Sequence, residues 1–382
     1  MPDRSPQYSL ALYPAIADIG EAAWNACAGD ENPFISYGFL SALEESGSVG
    51  DGTGWHPRHA VLRDEAGEIL ALAPAYAKTH SYGEYVFDQG WADAFARAGG
   101  RYYPKLQVAV PFSPVPGPRL LTKPGLAPDL LAEALIRAAR ELGCSSVHTT
   151  FCTRAEWNEL GQAGWLQRLG MQFHWQNRGY ASFEDFLGAL SSRKRKAIRR
   201  ERREAAAGLE IKALSGAALT PEVWSAFHAF YLATVDRKWG GAYLSREFFP
   251  LLSERLGDKI VLIIATRNGK PIAGALNLRG GNALYGRNWG AVEDIPFLHF
   301  ELCYYQAIEY AIAHGLDRVE AGAQGEHKIQ RGYLPQPTYS AHWIEHRGLR
   351  DAVADFLETE RPAVNQAMAA LEAESPFKQS DS

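Results

Sequence analysis

Gly143-Cys144-Ser145-Ser146-Val147-His148 and Gly315-Leu316-Asp317-Arg318-Val319-Glu320 are the two stretches whose comparison decides the fold. Each opens on a glycine that closes a helical pattern and passes at once into a short apolar run. An amphipathic segment over 127–142 leads into the first, and one over 298–314, preceded by Pro296, leads into the second. Further along, His174-Trp175 with Arg178-Gly179 stands against His342-Trp343 with Arg347-Gly348. The offset is about 170 residues at both places, which marks an internal repeat.

The segments upstream have the same order. Ile260–Arg267 is a continuous apolar run suited to a buried strand. Asn268-Gly269 after it favours a type I′ turn, 270–278 reads as the returning strand and 283–289 as a third. In the first half, 58–63, the turn 64–67 and the return 68–78 form the matching hairpin. There the offset is about 200, so one copy carries about 30 extra residues. They are expected in the Pro-rich stretch 104–128, which holds seven of the 21 prolines. Later segments read as strands at 146–151, 172–177, 318–321 and 339–344, and a helix over 348–372. The fold class is α/β (α+β mixed sheets), a duplicated unit with helices on both sheet faces. The first domain spans 1–178 with the Pro-rich insertion, and the second spans 179–382. The crevice between two copies is the default pocket.

The 382 residues carry 39 Lys+Arg against 44 Asp+Glu, a net charge of −5. That balance argues against DNA binding by the whole surface. The four cysteines form no CxxC pair, and reduced thiols in the cytoplasm are expected. The first residues lack the pattern of a signal peptide, and no apolar run reaches the length of a membrane span. A P-loop, GxGxxG, HExxH and GxSxG are all absent from the sequence.

Three places can carry chemistry. Residues 193–203, RKRKAIRRERR, put eight basic side chains in eleven positions. On a helix they contact phosphates of a nucleotide, CoA or RNA, or else form a solvated face with Glu201 and Glu204 as partners. The stretch 320–328, EAGAQGEHK, follows a strand and is the most chemically loaded loop. Gly322 and Gly325 let a backbone approach a ligand. Glu326 or His327 can take a proton from an amine, and Lys328 can stabilise a tetrahedral oxyanion. A polar turn is the alternative. Trp289, ahead of Gly290, is placed to line a site. Cys303, with His299 one turn before it, reads as a buried structural cysteine. His56 and His59 lack a carboxylate partner, so no metal is expected.

Four stretches together resemble the FemAB-like, peptidoglycan-biosynthesis-type branch of the GNAT acyltransferases. They are 32–47 (Asn32-Pro33-Phe34-Ile35-Ser36 onward); 81–88 with 102–106 (Ser81-Tyr82-Gly83-Glu84 and Tyr102-Tyr103-Pro104-Lys105); the basic run from Ser192; and 298–301 with 320–328. The resemblance spans roughly 30–345. It implies two tandem GNAT-like domains and transfer of an acyl or aminoacyl group to a small-molecule amine acceptor in bacterial cell-wall metabolism. The donor it implies is an acyl-CoA or an aminoacyl-tRNA. It assigns Lys328 to the tetrahedral intermediate and Arg195 and Arg199 to acceptor phosphates. The nearest counterpart of the CoA-binding loop of ordinary GNAT enzymes is Arg287-Asn288-Trp289-Gly290-Ala291. A binding module that recognises a nucleotide or cell-wall ligand without turnover is the alternative, and RNA binding by the basic helix alone a third reading.

Overall fold

The computed structural model describes residues 8–123, 129–236, 241–322 and 325–378. The chain forms two compact units, Met1–Gly170 with Pro337–Asn365 and Met171–Gln336 with Gln366–Ser382. They are therefore not consecutive halves. The chain leaves the first unit inside the strand Leu166–Gln176 and returns to it inside the strand Leu334–Ile344. This exchange places 337–365 with the first unit, whereas the sequence reading kept that segment in a second domain over 179–382.

In the second unit, Glu210–Leu214, Ile260–Arg267, Lys270–Gly280 and Ala283–Ala291 run antiparallel in that order. Asn268 and Gly269 both take positive φ, 51° and 75°, as a type I′ turn requires. Ala283–Ala291 then pairs in parallel with Arg318–Glu320, which is flanked by Leu166–Gln176. The crossover between the parallel strands is helical over Leu298–Ala313 and ends at Gly315, φ 64°. Its middle, Glu301–Tyr305, is wound as a π-helix. Wide turns of this kind are frequent at functional sites.

In the first unit, the strands Ala75–Lys78, Lys105–Val108, Ser146–Cys152 and Leu334–Ile344 follow the same plan. Lys105–Val108 and Ser146–Cys152 are parallel, and the helix Asp129–Glu141 lies between them in sequence. The repeat holds at the level of residue pairs. His148 stands opposite His342 and Val147 opposite Trp343. In the second unit Glu320 stands opposite His174 and Val319 opposite Trp175.

Two expectations change. The return strand predicted over 68–78 is broken at Pro74, which has no N–H to donate. Its first part, Ile69–Ala73, joins a separate four-stranded sheet with Ser9–Tyr13, His59–Arg63 and Leu121–Thr122, and only Ala75–Lys78 joins the main sheet. The extra residues also fall elsewhere. Lys78 and Lys105 are paired strand residues, as are Gly280 and Ala283, so the first copy is expanded over 79–104. The Pro-rich stretch instead contains Lys105–Val108, a strand both copies need.

Arg119 explains why that stretch is ordered. Fully buried, it donates to the carbonyls of Thr150 (3.0 Å), Gly117 (3.2 Å), Pro118 (3.0 Å) and Val115 (2.6 Å). The Glu156 carboxylate accepts the N–H groups of Arg119 and Leu120, both at 2.6 Å. One side chain thus satisfies carbonyls that a proline-rich backbone cannot pair in a ladder.

Candidate active site in the second unit

The two parallel strands of the second unit pair only from Ala283 to Tyr285 and then part. Gly286 follows the last paired residue, and a Cβ there would just touch the Glu320 carbonyl at 3.4 Å. On its other side the register steps from Asn277↔Gly286 to Leu276↔Asn288, which makes Arg287 the extra residue of a bulge. Trp289 follows, half-buried, with its ring 5.2 Å from that of His299.

The other wall is the loop after Glu320. Gly322 and Gly325 take φ of 81° and 111°, conformations that favour glycine, and Ala323 and Gln324 lie outside the described residues. The turn Glu326–Arg331 then carries Lys328 inward. Lys328 is 2% exposed, and its Nζ donates to the Gly322 carbonyl at 2.9 Å. Its ammonium stands 5.9 Å from the Phe173 ring centre, and none of the ion pairs among the described residues uses it. Burial pushes it down to about 8 from the usual lysine value of 10.5.

His327 is exposed beside it, with Nε2 2.9 Å from the Tyr304 hydroxyl. Its ring centre lies 5.5 Å from that of Phe300. Burial, then the charges of Arg331 and Lys328, lower its pKa below 6.5 and keep it neutral at pH 7. Burial also raises the Tyr304 hydroxyl far above its ordinary value, so it stays protonated. Tyr304 sits in the π-turn. Arg331 fixes the end of the loop. It donates to the His327 carbonyl at 2.8 Å and to both Glu201 oxygens at 2.9 and 3.0 Å, and it covers the Phe300 ring at 3.4 Å.

Glu201 belongs to the basic helix, Ser192–Ala205, which is thereby tied to the loop. Arg202 adds a second tie. It forks onto Glu301 at 2.9 to 3.2 Å and reaches Glu309 at 2.7 Å. Arg199 pairs with Glu184 at 2.5 Å, and Arg195 donates to Ser192 at 3.3 Å. The structure therefore brings Lys328, His327, Gly322 and Gly325 together, with Trp289 linked to them through His299. Glu326 is exposed on the same turn. Among the described residues no hydrogen bond or ion pair joins Arg195 or Arg199 to the Lys328 loop. Arg331 and Tyr304 look ordinary in the sequence, and Glu201, expected to partner its own helix, pairs with Arg331 instead. Only the arginine and aromatic density of 297–305 and 331–333 hints at them.

A second cluster lies in the expanded segment of the first unit. Lys105, wholly buried, donates to Glu84 (2.7 Å), Asp88 (2.5 Å) and Ser81 (2.9 Å). Lys78 lies 3.8 Å from Glu84 and 3.7 Å from the Trp55 ring centre. Tyr102 donates to Asp88 at 2.7 Å, and the Nδ1 atoms of His148 and His342 meet at 2.7 Å. Burial pushes Glu84 up to about 7, with Lys105 opposing it. Burial would also raise Asp88, but Lys105 and His148 hold it well below the usual carboxylate range. Burial pushes Lys78 down to about 7. The stretches 81–88 and 102–106 thus meet around one buried set of charges. No group of three or more metal-ligating side chains occurs among the described residues. No helix there is long and apolar enough to cross a membrane.

Each unit holds a parallel strand pair with a helix between its strands in sequence, so one mixed α/β plan is built twice in the chain. The chain belongs to the FemAB-like family, described by peptidoglycan biosynthesis/recognition, which matches residues 15–379. The crystal structure of FemX superposes with a TM-score of 0.55 at 10% identity over 91% of this chain and all of that one. The C-terminal domain of a putative lysylphosphatidylglycerol synthetase from Agrobacterium fabrum gives 0.55 at 12%, covering 90% and 96%. A conserved protein of unknown function from Bacteroides thetaiotaomicron gives 0.52 at 10%, covering 88% and 100%. No curated protein matches the sequence.

Proposed function

We propose that this chain is an N-acyltransferase of the bacterial cytoplasm, moving an acyl or aminoacyl group from an activated donor to an amine on a peptidoglycan-related acceptor. The observation that carries the reading is Lys328: a buried ammonium with no carboxylate partner among the described residues, on the loop that follows the parting strand. Such a group favours a neighbouring negative charge that forms during reaction, because no resident anion already neutralises it. The acceptor nitrogen attacks the donor carbonyl carbon directly, a C–N bond forms, and the oxygen gains the charge that Lys328 offsets. Collapse breaks the bond to the leaving thiolate of CoA or to the ribose oxygen of tRNA. With Nε2–H donating to the Tyr304 oxygen, Nδ1 of His327 is the unprotonated nitrogen that takes the amine proton; Glu326, exposed on the same turn, is the alternative base. Gly322 and Gly325 admit the backbone close to the reacting carbonyl. Trp289 and Arg287 line the donor side, and Arg195 and Arg199 meet the acceptor's phosphates. Holding both reactants in one cleft supplies much of the rate, about 7–11 kcal/mol in well-oriented systems.

The test is product analysis. The protein is incubated with acetyl-CoA or with aminoacyl-tRNA and a panel of amines that includes peptidoglycan stem peptides, and products are identified by mass spectrometry. An acceptor heavier by one acyl or aminoacyl unit supports the reading and names the donor. Ligand binding without any product across the panel rejects it in favour of a recognition module.

A further inference from the structure

We infer that the groove along the basic helix binds the anionic surface of a lipid bilayer, with one lipid chain seated in the groove. This does not depend on the transfer chemistry. The groove encloses about 450 Å³ and lies wholly in the second unit. Arg199, Arg202 and Arg203 form one wall, and Phe183, Glu184 and Leu187 of the helix Phe183–Ala189 form the other. Its floor is apolar, from Ala206, Leu209 and Ile211.

The two lining carboxylates are held by Arg202 and Arg199, Glu301 with Gln306 as well, so the uncompensated charge of the lining is that of Arg203. Arg203 is exposed, and no ion pair among the described residues uses it. Beyond the groove, Arg193, Lys196, Arg200 and Arg203 are all exposed. Their spacing of three, four and three residues puts them on one face, a stripe about 15 Å long. The helix carries eight basic and two acidic side chains, a net +6 in a chain of net −5. Like charges at these spacings destabilise an isolated helix, so a purely structural helix gains nothing from them.

The combination selects the occupant. A cationic stripe faces many anions at once, as a leaflet of phosphate headgroups presents them. An apolar floor rimmed by Arg203 accepts an acyl chain whose phosphate stays at the rim. A nucleic acid would leave that floor unused, and the exposed face of the helix offers no aromatic ring for base stacking.

The experiment is co-sedimentation of the full chain with vesicles of phosphatidylcholine alone or with about one third phosphatidylglycerol. Binding to the anionic vesicles only, falling steeply between about 0.05 M and 0.5 M salt, is expected. Charge reversal in Lys196→Glu/Arg203→Glu weakens it by more than about tenfold. Ile211→Asn, in the groove floor, weakens it while melting stays cooperative. Decyl phosphate in solution competes only with the part of binding that Ile211→Asn removes. Equal binding to neutral vesicles, or charge reversal without effect, overturns the proposal. Ile211→Asn without effect overturns the seated chain. Binding to an RNA duplex with none to anionic vesicles overturns it in favour of a nucleic acid.

Discussion

The Lys328 ammonium donates to the carbonyl of Gly322, six residues earlier, across 2.9 Å. Among the described residues this is the one hydrogen bond the ammonium makes, and it uses one of three protons. The remaining donors and the full charge stay within a nearly dry pocket, an arrangement that costs stability.

That cost has a pH signature. With a folded value of about 8 against 10.5 unfolded, the unfolded chain binds more protons between those values. Stability contributed by this group therefore rises as pH climbs from about 8 to about 10.5. Lys328→Met should remove the rise and stabilise the protein at pH 7 by up to about 3 kcal/mol. Thermal melting across that pH range measures both.

His327 depends on Tyr304 for its orientation. In the transfer assay, Tyr304→Phe should lower kcat several-fold and leave KM nearly unchanged. The rate of the parent protein should fall on acidification below pH 6.5, as His327 takes a proton. His327→Gln should lose that acid limb. An intact limb in His327→Gln transfers the base to Glu326.

Asp88 and Glu84 neutralise a lysine that water does not reach. Asp88→Asn leaves Lys105 with one ionised partner fewer and should cost about 3–5 kcal/mol in urea unfolding at pH 7. Removing the Lys105 charge together with it, in Asp88→Asn/Lys105→Met, should recover part of that loss. A double variant as unstable as the sum of the two singles would show that the pair is not coupled.

Arg119→Ala strands two buried carbonyls, those of Thr150 and Val115, and two half-buried ones, and should cost about 3 kcal/mol. Limited proteolysis should then cut first within 109–120, while the parent protein should stay intact there.

Much of the architecture is legible in the sequence because duplication writes it twice. Gly143 and Gly315 end equivalent helices, and Val147 and Val319 enter equivalent parallel strands. Asn268-Gly269 is legible alone, since positive φ at two successive residues has few chemical solutions. The segment exchange is not legible, because pairing Glu320 with His174 or with His342 would bury the same apolar faces. Nor is the break at Pro74, where a continuous apolar run over 69–77 conceals a change of sheet. In the site, Lys328 and His327 stand out by chemistry and spacing, and the structure places them side by side. Their supports do not stand out. Tyr304 reaches His327 only because the helix widens at Glu301–Tyr305, and Arg331 meets Glu201 across 130 residues of chain. The buried charges of the first unit are hidden for the same reason: Lys78, Glu84, Asp88 and Lys105 look like surface residues until Ala75–Lys78 and Lys105–Val108 are paired.

The account turns on Lys328 as the group that steadies the oxyanion. The most direct measurement is the single-turnover rate of amine acylation for the parent protein and for Lys328→Ala, both saturated with the donor found by product analysis. A fall of at least about tenfold with the fold intact is predicted, the usual effect of removing one oxyanion donor. An unchanged rate would contradict it.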